Sequence, residues 1–163
     1  MLFDYHCKKG QRLGLDQSQT PLFSALVNHA KRNPIQFHIP GHKKGAGMDS
    51  EFRRFIGDNA LSIDLINIAP LDDLHNPSGV IAEAQRLAAE AFGADYTFFS
   101  VQGTSGAIMA MILSVCKEGD KILVPRNVHK SVMSAIIFAG AKPVFISPVM
   151  DKRLGIAHGI TTR

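Results

Sequence analysis

Two short stretches bring together the residue types that binding chemistry needs. Gly103-Thr104-Ser105-Gly106 is a small, hydroxyl-rich run, and Arg126-Asn127-Val128-His129-Lys130-Ser131 gathers an imidazole, two cations and a hydroxyl. A small turn that opens a helix offers free backbone N–H groups at the positive end of the helix dipole, which suits a phosphate. The Thr104 and Ser105 hydroxyls add donors, although the same residues also suit a plain capping turn. The Gly-x-x-x-x-Gly-Lys spacing of a Walker loop is absent. His129, at a helix start, is expected to be neutral because the dipole disfavours an imidazolium there. A neutral ring beside a phosphate can stack on a flat cofactor. The plainer alternative is a surface histidine.

The other polar groups converge less. His38 and His42 have the spacing of a helical metal pair, but Pro40 and Gly41 between them argue for a loop, and no carboxylate or cysteine completes a set. No metal site is expected. Asp64, Asp72 and Asp73 can pair with a guanidinium or ammonium group, or serve as helix caps and solvated loop charges.

The elements that must position these residues show in the periodicity. Thr20-Pro21 opens a helix carrying Leu22, Ala25, Leu26, His29 and Ala30, which Asn33-Pro34 ends. Phe37 to Gly79 is loop-rich, with a short helix around Glu51 to Ile56. Val80 to Phe92 forms one helical face with Gly93 as its C-cap. Tyr96 to Gln102 reads as a strand stopped by Gly103. Ser105 to Cys116 is apolar nearly all round and reads as a buried helix. Lys121 to Pro125 is a second strand, Asn127 caps a helix closed by Gly140, and Lys142 to Ser147 is a third strand. Strand–helix–strand–helix–strand implies parallel pairing, and in an open parallel sheet ligands bind beyond the carboxyl ends of the strands. Both polar clusters belong to that edge. The expected organisation is an arm at 1–17, a helix and loop-rich segment at 18–79, and an α/β segment at 80–163.

Composition excludes several classes. Of 163 residues 45% are apolar and 20% charged, which rules out a disordered chain. No apolar run approaches a membrane span, and the first ten residues lack the apolar stretch of a secretory signal. Two cysteines, Cys7 and Cys116, are too few for a disulfide framework, so a reducing, cytoplasmic setting is expected. The formal charge of +4 comes in separated doublets such as Lys8-Lys9 and Arg53-Arg54, without basic runs or interleaved aromatics. Nucleic acid is therefore a poor partner. From the residues alone, a non-catalytic phosphate- or nucleotide-binding α/β module remains open.

Several motifs together resemble the ornithine/lysine/arginine decarboxylase family. They are Phe37-His38-Ile39-Pro40-Gly41-His42-Lys43-Lys44-Gly45, Leu71-Asp72-Asp73-Leu74 with Pro77-Ser78-Gly79, Val101-Gln102-Gly103-Thr104-Ser105, and Arg126 to Ser131. The likeness runs from about Ser18 to Ile160. It implies a type I aminotransferase-like fold, here incomplete: a parallel sheet with flanking helices that uses pyridoxal 5′-phosphate. By resemblance, Thr104 and Ser105 with the Gly103 and Gly106 backbone hold the phosphate, and His129 takes the place of the ring-stacking histidine. The family's Schiff-base lysine lies in a later Ser-x-His-Lys motif, whereas here Asn127 stands two before His129. Lys130 is accordingly read as a surface or secondary contact. That lysine and the acid partner of the pyridine nitrogen fall outside this chain, which reads as an amino-terminal portion, inactive by itself. The implied reaction is decarboxylation of a basic amino acid, arginine to agmatine for polyamine synthesis first, lysine or ornithine second, by a homo-oligomer.

Overall fold

The computed structural model describes residues 14–161. The part of the expected arm at 1–13, with Cys7, lies outside them. Two compact units make up the chain, Met1–Phe99 and Ser100–Arg163.

The first unit is helical. α1 (Pro21–Lys31) starts as expected with proline in its first turn, but Thr20 makes no side-chain cap, and its hydroxyl instead meets Ser24 Oγ at 2.9 Å. α2 (Ser50–Ile56) is capped by Asp49, which accepts the N–H groups of Glu51 and Phe52. Gly57, at φ +87°, turns the chain directly into α3 (Asp58–Ile63), a helix whose six residues are too few to show a period. α4 (Val80–Phe92) ends as its sequence predicts, on Gly93 in the left-handed region at φ +66°. α1 packs against α3 and α4, and Leu61, Leu71, Ile81 and Ala89 are buried in this unit.

The second unit is α/β. α5 (Gly103–Val115) leads through a tight turn into β1 (Lys121–Pro125). Then α6 (Lys130–Ala139) crosses to β2 (Lys142–Ile146). The two strands pair in parallel, with Lys121 opposite Lys142 and Pro125 opposite Ile146. A small antiparallel hairpin follows, β3 (Met150–Asp151) with β4 (Ile156–Ala157). Ile112, Val124, Ala135 and Ile136 form this unit's apolar centre, with Ser131 buried beside them.

Two expectations fail here. Tyr96 to Gln102 forms no strand. A strand exists only when a neighbour accepts its backbone, and β1 finds its partner in β2, while no described strand pairs with 96–102. α5 is likewise not a buried helix. Ile112 is buried, but Met111 and Val115 are 62% and 73% exposed, because the helix packs against α6 on one side and nothing described covers the other. No helix among the described residues is long and apolar enough to cross a membrane.

Candidate functional site

The N-terminus of α5 is an open helix end. Gln102 occupies the cap position without a side-chain bond to the helix, and among the described residues the Thr104 and Ser105 hydroxyls make no hydrogen bond. Both residues are exposed. The first-turn amides are therefore available to an anion. Two glycines make this geometry possible. Gly103 sits at φ +72°, which side chains rarely adopt. At Gly106 an added Cβ would lie 2.9 Å from Gln102 Cβ. Gly106→Ala is therefore expected to displace Gln102 and reshape the turn. Backbone amide shifts at 102–106 should move while those of β2 stay in place, and unchanged shifts at 102–106 would contradict the close approach.

His129 is the cap of α6, a position the sequence had given to Asn127. Its Nδ1 accepts the Ser131 N–H at 3.2 Å and lies 2.8 Å from Ser131 Oγ. An amide N–H can only donate, so in this arrangement the ring carries its proton on Nε2. The residue is exposed, as is Lys130 behind it. Just before this turn, the Arg126 N–H donates to Ile146 O at 3.0 Å, and its guanidinium lies 5.3 Å from the Phe145 ring centroid.

The two clusters share one end of the unit. Gly119, past the end of α5, donates to Gly140 O, past the end of α6, at 2.9 Å. A Cβ on Gly140 would lie 3.1 Å from Glu118 Cγ. With their carboxyl ends joined and their lengths packed together, α5 and α6 run parallel. Both N-termini therefore face the carboxyl edge of β1 and β2, which α6 leaves directly. The turn at Gly103 reaches this edge through α5 rather than from a preceding strand.

The remaining candidates resolve differently. Asp72 is not a free ligand group: its carboxylate accepts backbone N–H groups from Asp73, Ser78, Gly79, Ile81 and Ala82 at 2.8–3.4 Å, closing the entrance to α4. Burial raises its pKa, but those N–H bonds outweigh it and hold the carboxyl well below the usual range. Asp73 accepts the His75 N–H at 2.9 Å. Asp64 Oδ2 lies 3.0 Å from His42 Nε2, while His42 Nδ1 accepts the Gly45 N–H. This pair spans 22 positions, and no local signal announces it. No group of three or more metal-ligating side chains occurs among the described residues.

Residues 20–163 match the family described as Orn/Lys/Arg decarboxylase, major domain. The chain is 78% identical over 147 residues to the arginine decarboxylase of Bacillus anthracis, a match covering 90% of this chain and 30% of that protein. It is 71% identical to the arginine decarboxylase of Bacillus subtilis, with the same coverage. Among solved structures, lysine decarboxylase A from Pseudomonas aeruginosa superposes with a TM-score of 0.77 at 38% identity, covering 86% of this chain and 20% of that one. The chain thus spans about 30% of the length of the Bacillus proteins it matches. On the family match and these identities, it belongs to the Orn/Lys/Arg decarboxylase family.

Proposed function

We propose that this chain is the amino-terminal portion of a pyridoxal-phosphate-dependent decarboxylase of a basic amino acid, arginine to agmatine, and that it supplies the cofactor's phosphate cradle and one wall of its ring site. The observation that carries the reading is the 71–78% identity to proteins named arginine decarboxylase over 90% of the chain. Lysine ranks second, because the named lysine decarboxylase of Pseudomonas aeruginosa is 39% identical. The isolated chain, without the family's cofactor-bearing lysine, is read as inactive. A homo-oligomer and a cytoplasmic location go with the same reading.

The residues present fit the group. The uncapped first turn of α5 offers amide donors, the Gly103 and Gly106 backbones leave room for close approach, and the Thr104 and Ser105 hydroxyls donate two further bonds. Pyridoxal 5′-phosphate, when bound, supplies the electron sink that loss of carbon dioxide requires. His129 presents an imidazole face whose orientation the Ser131 N–H fixes. Lys130 begins α6 on the exposed side and is assigned no part in the reaction.

The ring assignment is tested in an exchange enzyme, the Bacillus anthracis relative with this chain's residues in place of its matched segment. His129→Asn retains a good N-cap but no ring, whereas His129→Phe retains a ring but no cap acceptor. Cofactor affinity is expected to fall about 2–12-fold in the Asn variant, for a stack of about 0.5–1.5 kcal/mol, and to persist in the Phe variant. Thermal stability should fall only in the Phe variant, by about 1 kcal/mol. Equal cofactor affinity in both variants and the parent would return His129 to a capping role alone.

A further inference from the structure

We infer that His29 makes the seam between α1 and the 33–44 segment an acid-sensitive clasp, closed at neutral pH and opened by protonation of this one imidazole. The segment after α1 is folded back on its own beginning. Lys44 Nζ donates to Asn33 Oδ1 at 2.7 Å and to Pro34 O at 3.3 Å, and Lys43 Nζ donates to His38 O. His29 stands in the last turns of α1, and His38 and Lys44 of this loop are among the charges that act on its ring. Its Nε2 is shut off from solvent and has no hydrogen-bond partner among the described residues, as is the case for Nε2 of Gln36.

The groups that act on His29 are all basic: His38 and Lys44 from the loop, and Arg32 from the end of its own helix. Several carboxylates of the other described elements in this unit are engaged elsewhere: Asp49 and Asp72 cap α2 and α4. Asp58 pairs with Arg53, Asp64 with His42, Glu83 with Arg86, and Glu90 binds the Leu15 N–H. A proton on His29 would therefore stand among cations, on a ring whose Nε2 is shut off from solvent and with no carboxylate among the charged groups named as acting on it.

Burial first, then His38, Lys44 and Arg32, hold this imidazole below its ordinary value. The closed form thus binds fewer protons than the open one. The clasp is fully stable above the ordinary imidazole value of about 6.5 and weakens progressively as pH falls below it.

The test is hydrogen exchange of the 33–44 amides in this chain between about pH 7.5 and 5.5, corrected for the intrinsic pH dependence of exchange, with the His29 ring followed by NMR over the same range around the imidazole value. Opening is expected to rise several-fold toward the acid end at 33–44 and not in α4, and the His29 ring should titrate below free histidine. His29→Gln should flatten the rise. Arg32→Gln, a change at an exposed site that removes one neighbouring cation, should reduce it. Flat opening in the parent chain, an equal rise in His29→Gln, or a His29 ring titrating at or above free histidine would overturn the inference.

Discussion

Replacing Thr104 and Ser105 together by alanine in the exchange enzyme is expected to weaken pyridoxal phosphate binding by about 3–6 kcal/mol, roughly 10²–10⁴-fold. In the proposed site each lost bond would be a hydroxyl donating to a charged phosphate oxygen, at about 1.5–3 kcal/mol. Protein stability should hardly change. Both residues are exposed and their hydroxyls bond to nothing among the described residues, and alanine is a good helix former. Titration of the cofactor absorption band measures the first effect and thermal unfolding the second. Wild-type affinity in the double variant would leave α5 with an ordinary open helix end. A fall in stability comparable to the loss of affinity would mean that the hydroxyls hold the turn rather than the ligand.

Asp72→Ala is expected to cost about 2–4 kcal/mol of stability in the first unit. The lost cap contributes about 0.5–2 kcal/mol, and the charged acceptor of several amide donors adds to it. The backbone makes the case sharper. Asp72 sits at φ +68°, ψ −177°, a region that only glycine occupies without strain of about 1–3 kcal/mol. The five N–H bonds to its carboxylate are what hold it there. Asp72→Gly should therefore be less damaging than Asp72→Ala, since it loses the bonds but releases the strain. The acid response has a definite sign. The folded-state pKa is depressed, so this contribution is complete above the unfolded carboxylate value of about 4 and is lost as pH falls through the folded one. Urea unfolding of the parent, Ala and Gly variants measures these differences. Parent-like stability in Asp72→Ala would contradict the assigned role.

What the sequence shows and hides follows from the range of the forces. The ends of α4 and α6 were legible because Gly93 and Gly140 adopt left-handed conformations that glycine alone favours, and both do so at φ +66° and +65°. β1 was legible to the residue because Lys121–Pro125 is a short apolar run between a Gly-Asp turn and a polar helix start. Tyr96 to Gln102 carries the same local signal, but a strand needs a partner that local composition cannot name. The cap of α4 was hidden for a related reason. Asp72 reaches amides six to ten positions ahead, beyond the three-residue spacing of a capping box. His129 and the Gly103 to Gly106 turn were readable as site candidates, since each opens a helix. That His129 would also be the cap, in place of Asn127, depends on a side-chain rotamer that no spacing encodes.

The proposed role places these residues in the cofactor site of an arginine-selective decarboxylase. Its most direct test is carbon dioxide release by the exchange enzyme, loaded with pyridoxal phosphate and given arginine, lysine and ornithine in turn. Turnover with arginine is expected well above that with lysine and ornithine, and is expected to be lost in the Thr104→Ala, Ser105→Ala variant at limiting cofactor. A folded exchange enzyme that prefers lysine or ornithine, or that releases no more carbon dioxide than free cofactor does, would contradict it.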